Sequence, residues 1–168
     1  MCNLTISRYR IKFKANQNIQ LPEYAGSSLR GAFGHALKNI ACLTAGLNKG
    51  HCKCQPGESC LYRRIFDPAK QKLILQDRLQ DVAPPFVIEA HSLSTKVLAG
   101  QEAYFYMTLV GDFAHNQQMM IQMAWQRALA VGIGSYHNTG QAQSQLVSFE
   151  VCDRPQLNWQ PSENLIVQ

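Results

Sequence analysis

No run of eighteen apolar residues occurs anywhere in the 168-residue chain, which speaks against a membrane-spanning helix. The N-terminus, MCNLTISRYRIKFK, carries no apolar segment behind a basic start, so it does not read as an export signal. A cytoplasmic protein with no membrane partner is expected. Internal repeats and low-complexity tracts are also missing. Acidic residues are scarce at the front: residues 1–72 hold three Asp and Glu against twelve Lys and Arg, a net +9, whereas residues 73–168 hold eight against four, a net −4. The total of +5 therefore conceals a strongly basic first half, which suits a polyanionic partner, nucleic acid being the usual one. A solvated basic face is the plainer alternative.

At 46% apolar residues, the chain is long enough for one domain with a real core and short for two, so residues 1–168 are expected to form a single unit. Over residues 4–14, Tyr9, Ile11 and Phe13 alternate with Arg8, Arg10, Lys12 and Lys14, the period of a strand with a basic outer face. The spacing of Ala32, Phe33, Ala36, Leu37 and Ile40 predicts a helix capped by Ser27 or Ser28 and running to about Cys42. APPFVIEA reads as an extended segment entered through two prolines. AYFYMTLVG, 103–111, is β-rich and apolar enough for a central strand. Met120, Ile121, Ala124, Trp125, Ala128 and Leu129 form the stripe of a second helix. SQLVSFEV is the last strand expected, and the tail from Asp153 reads as loop or extended cover. This order predicts an α+β sandwich with helices on one face of an antiparallel sheet.

An irregular, cysteine-rich insert is expected over residues 42–66. Cys42, Cys52, Cys54 and Cys60 follow the pattern C-x9-C-x-C-x5-C, with His51 beside the second. Cytosolic cysteines are normally reduced, and four thiolates can close a tetrahedral structural zinc site in a segment with too little apolar content to fold alone. The alternative is a set of reduced, partly buried thiols. Cys2 and Cys152 lie outside the pattern.

GIGSYHNTG, 132–140, could cradle phosphate with backbone N–H groups. It lacks the GK[ST] of a nucleotide-hydrolysing loop, and it follows a helix instead of a strand, so no nucleotide cofactor is expected. What survives is a loop in which Gly132, Gly134 and Gly140 let a nucleic-acid backbone approach while Tyr136 and His137 contact bases; a simple turn is the alternative. Metal-independent RNA cleavage needs a general base and a general acid. His35 with Lys38 and Tyr24 is one candidate set, and His51 is another candidate base. Sugar-phosphate contacts are expected from Arg8, Arg10, Lys12, Arg30, Lys38, Arg63 and Arg64, with Gly31 making room beside Arg30.

Taken in order, LPEYAGSSLRGAFGHALKNIAC, the cysteine cluster ending in CLYRRIF, PPFVIEA, LVGDFAHN and GIGSYHNTG resemble the N-terminal half of CRISPR pre-crRNA-processing endoribonucleases of the RAMP superfamily. The resemblance spans residues 21–152. It implies a ferredoxin-like, RRM-like βαββαβ fold that binds CRISPR RNA, with Gly132, Gly134 and Gly140 in the superfamily's glycine-rich loop. Those enzymes usually carry a second ferredoxin-like domain, which is not expected within residues 1–168. The resemblance therefore implies a reduced RAMP subunit of a ribonucleoprotein effector, binding the 5′ handle of the guide RNA and contacting other RAMP subunits. A metal-independent endoribonuclease acting on repeat RNA is the second reading.

Overall fold

The computed structural model describes residues 2–42, 52–54, 60–66, 68, 71–72, 79–80, 83–136, 140–153 and 156–159. The chain opens with the long strand β1 (Cys2–Ala15) and the short β2 (Ile19–Gln20), then helix α1 (Ala25–Ala41). A five-residue helix α2 (Leu61–Ile65) and a small hairpin, β3 (Gln71–Lys72) with β4 (Leu79–Gln80), follow. Next come β5 (Phe86–Glu89), β6 (Lys96–Val97), β7 (Glu102–Val110), α3 (Asp112–Asn116) and α4 (Gln118–Val131). The chain closes with β8 (Ile133–Tyr136), β9 (Gly140–Ala142), β10 (Ser144–Asp153) and β11 (Gln156–Trp159).

The main sheet has the order β10-β1-β7-β5, antiparallel throughout. With α1 after β1 and α4 after β7, this is the ferredoxin-like arrangement, in which the first and third strands lie at the centre. Alternation on β1 sets the two faces. Tyr9, Ile11 and Phe13 are buried beneath the helices at 0–1% exposure, and the intervening cations face the other way. Trp125 of α4 ties the layers together, stacking on Phe33 of α1 and meeting Phe105 of β7 edge-on. At one end of β1, Ser7 Oγ lies 3.0 Å from His115 Nδ1 and the Tyr9 hydroxyl donates to Gln118. These bonds satisfy the buried polar groups where α3 and α4 meet the sheet.

Three segments differ from the expected elements. α1 starts at Ala25 with Tyr24 as its N-cap and no side-chain cap bond, so Ser27 lies within the first turn, its hydroxyl bonding back to the Tyr24 carbonyl. Burial of Ala25 draws the helix start forward. Within GIGSYHNTG, Ile133–Tyr136 is a strand where a loop was expected: β8 pairs with β9 and also with β2, in a second sheet of order β6-β2-β8-β9. The tail, despite Pro155, returns as β11 alongside Cys2–Thr5 of β1.

Two glycines of α1 occupy opposite environments. A Cβ on Gly31 would meet nothing within 4 Å, whereas one on Gly34 would lie 2.3 Å from Phe66 Cζ. Phe66 cannot swing clear, because it packs between Tyr62, Phe86 and Phe33. Helix propensity favours alanine by about 1 kcal/mol at either position, but overpacking costs about 1–3 kcal/mol. Gly31→Ala is therefore expected to raise the urea midpoint and Gly34→Ala to lower it; equal shifts would contradict this packing.

Candidate nucleic-acid interface and metal centre

The outer face of the main sheet carries the basic row of β1, and each of three cations meets a carboxylate of another strand: Arg10 and Lys12 on the adjacent β10 and β7, Arg8 across β7 on β5. Arg8 makes a two-pronged contact with Glu89 at 3.0 and 2.9 Å, and its guanidinium lies 3.8 Å from the centre of the Tyr106 ring. Arg10 reaches Glu150 at 2.7 Å and Lys12 reaches Glu102 at 2.5 Å. Tyr106 also stacks with His91 and meets Tyr104 edge-on. This face is thus largely neutralised from within, and the Tyr106 ring is already engaged.

Hydrogen bonds from Arg8 first, and from Thr108 second, hold the Glu89 carboxyl below the usual carboxylate range. A carboxyl depressed in the folded state contributes stability above its unfolded pKa, about 4.3, and that contribution is lost as pH falls through the folded value. Glu89→Gln is therefore expected to flatten the loss of stability between neutral and acidic pH, read as the urea midpoint at each pH. An unchanged acid slope would count against the pairing.

The helical side is different. Arg30 lies over Phe66 and Phe86 at 4.9 and 5.0 Å from the ring centres, Arg64 over Phe113 at 3.5 Å, and Lys38 is 6.0 Å from that of Tyr62. Aromatic faces orient these cations without cancelling their charge. Among the described residues none of the three forms an ion pair. Arg63 donates to the Cys54 carbonyl at 2.6 Å. The cations of α1 and α2 thus form a basic edge running along one flank of α1.

On the other flank lies a cleft of about 710 Å³ between α1, α4, β2 and β8. Gly31, His35, Asn39, Arg127, Gly132 and Gly134 are among its lining. His35 is exposed in it, while Lys38 points to Tyr62 and Tyr24, 82% exposed, stands at the start of α1 outside the lining. The structure does not bring the three together. Arg30 is likewise outside the cleft. Arg127, which gives the cleft its positive charge, had no signal in the sequence beyond a place on the polar side of α4. His51 and His137 fall outside the described residues, as does the side chain of Tyr136.

The glycines of GIGSYHNTG serve the fold directly. Gly134 has φ +66°, and a Cβ there would sit 2.5 Å from the Gln20 carbonyl oxygen; Gly132 has φ +129° with Gln141 at 2.7 Å. Both positions favour glycine because backbone meets backbone. Gly140 faces open space.

Cys42, Cys52, Cys54 and Cys60 converge, with all four sulfurs within 4.8 Å of one another. The Cys42–Cys54 and Cys52–Cys60 distances are 3.8 and 3.9 Å. A tetrahedron with Zn–S bonds of about 2.3 Å has S···S edges of about 3.8 Å, so the donor set fits a metal ion of that size. Burial pushes the Cys60 thiol up to about 12 and raises Cys52 as well, a penalty that a bound cation would reverse. The cluster sits between helix ends: Cys42 caps the C-terminus of α1 and Cys60 precedes α2.

A family model described as "AF_1859_N: N-terminal domain" matches residues 4–166. The chain belongs to this family. The AF_1859_N fold is also found in a chain from a crystal structure of the Csm3-Csm4 subcomplex in the type III-A CRISPR-Cas interference complex. The two share 13% identity over 93% of this chain and 92% of that one, with a TM-score of 0.51. The ferredoxin-like fold is as the sequence implied. No curated protein matches the AF_1859_N chain, and no helix among its described residues is long and apolar enough to cross a membrane.

Proposed function

We propose that the chain is an RNA-binding RAMP subunit of a CRISPR ribonucleoprotein effector, holding the 5′ handle of a guide RNA and contacting sister subunits. The observation that carries this reading is the fold shared along nearly the whole chain with a Csm3-Csm4 subunit. The basic edge supplies the surface. Arg30, Lys38 and Arg64 keep their charge for phosphates, and the cleft behind them is large enough to receive a splayed nucleotide. Arg8, Arg10 and Lys12 contribute less, because an incoming phosphate must first displace a carboxylate from each.

The cysteine cluster holds a structural zinc ion in this reading; four thiolate ligands leave no open position for catalysis. A second reading, a metal-independent endoribonuclease acting on repeat RNA, draws on His35, which is exposed in the same cleft as Arg127. Incubation of the zinc-loaded chain with repeat RNA in buffer without added divalent metal separates the two. Binding without cleavage is expected; specific cleavage that disappears in His35→Ala would replace the first reading with the second.

Charge substitution tests the surface. The double variant Lys38→Ala/Arg64→Ala is expected to weaken RNA binding about tenfold or more at moderate salt and to lower the salt slope by about two. Arg10→Ala is expected to stay within about twofold, since its charge is internally matched. Equal losses in both would return the RNA to the sheet face.

A further inference from the structure

Helix α2 is too short to be stable alone. Two anchors hold it. At its C-terminal end, Ile65 is fully buried and Phe66 fills the hollow over Gly34. At its N-terminal end, Cys60 provides the residue before the first turn, and the Cys60 carbonyl accepts the Arg64 N–H at 3.1 Å. The same cysteine cluster meets α2 a second time, where Arg63 donates to the Cys54 carbonyl, and a third, where Tyr62 packs against it. Tyr62 in turn lies beneath Lys38. Three cations of the basic edge, Lys38, Arg63 and Arg64, are therefore set by a helix whose N-terminal anchor is a thiol cluster. Cys42, at the end of α1, belongs to that cluster too, so closing it around an ion fixes the α1–α2 angle.

We infer that zinc at Cys42, Cys52, Cys54 and Cys60 is thermodynamically coupled to polyanion binding: the ion orders α2, and the ordered α2 presents Arg63, Arg64 and Lys38 to RNA phosphates. This rests on the RNA-binding reading above. Two effects oppose each other. Four thiolates around one zinc carry a net charge of −2, which repels phosphate, whereas the free thiols are neutral. Ordering acts the other way, since cations held in place lose less freedom on binding. Arg63 reaches the cluster through the neutral Cys54 carbonyl and keeps its charge, and ordering is taken as the larger effect. Coupling is reciprocal. Whatever factor zinc adds to RNA affinity, RNA must add to zinc affinity.

The test uses the full chain under reducing conditions, zinc-loaded or stripped with a chelator, and a labelled single-stranded repeat RNA. Anisotropy gives the RNA affinity, and competition with a chromophoric chelator gives the zinc affinity with and without RNA. Zinc removal is expected to weaken RNA binding about tenfold, or about 1.4 kcal/mol, and RNA is expected to tighten zinc retention by the same factor. Circular dichroism checks that the stripped chain keeps its sheet. Should stripping unfold it, zinc-loaded Arg63→Gln provides the reading: full zinc content with RNA affinity reduced several-fold is expected. Equal RNA affinity with and without zinc, or in Arg63→Gln and the parent, overturns the coupling while leaving the RNA reading intact. Absence of RNA binding to the loaded chain overturns both.

Discussion

Trp125→Ala is expected to lower the free energy of unfolding by about 3–5 kcal/mol, a large part of the 5–15 kcal/mol typical of a domain. The indole is fully buried at the centre of the contact between both helices and the sheet. Its ring stacks on Phe33 at 5.0 Å and meets Phe105 at 4.7 Å, and its Nε1–H donates to Met107 Sδ at 3.1 Å. Truncation leaves a cavity bounded by β7, α1 and α4, elements fixed independently by strand pairing and the α1–α4 packing, so the void cannot close. Trp125→Phe keeps the ring contacts and loses only the N–H bond and part of the volume; about 1–2 kcal/mol is expected. Urea denaturation followed by circular dichroism reads both. A Trp125→Ala variant within 1 kcal/mol of the parent would mean that α4 is held by something other than this aromatic cluster.

The same cluster explains why the architecture was legible. Period-2 alternation on β1 and the 3.6-residue stripe of α4 each describe one buried face, and burying those faces against each other leaves few arrangements. The charge pattern was legible only in part. Arg8, Arg10, Lys12 and Lys14 declare a basic strand face, but Glu89 is 81 residues from Arg8 and Glu150 is 140 from Arg10, so only the folded sheet reveals the neutralisation. Gly134 shows the same limit. Its neighbours suggest a phosphate-binding turn, while the approach that requires glycine comes from Gln20, far away along the chain. The cysteines read more directly, because ligand type and clustering are local properties. Their partnership with α2 is not, since it depends on Arg63 reaching back to Cys54.

Cys54→Ser should abolish stable zinc retention, with a loss of affinity of more than 100-fold. Replacing an outer-shell partner already costs 10–100-fold, and a serine hydroxyl at neutral pH is not a zinc ligand. The substitution is nearly isosteric, so the change tests ligation more than packing. Cys54 is 8% exposed and its sulfur is 3.8 Å from Cys42, which leaves the new hydroxyl among thiols with no ion to satisfy. Elemental analysis should find about one zinc per parent chain and close to none in the variant. Amide exchange should quicken across α2 while β1 and β7 stay protected, because the core around Trp125 is built without the cysteines. That pattern separates a metal that staples a local module from one that holds the whole fold. If β1 and β7 lost protection together with α2, the cluster would belong to the core. If Cys54→Ser retained zinc and an ordered α2, the four sulfurs would be close neighbours in a reduced thiol cluster and nothing more.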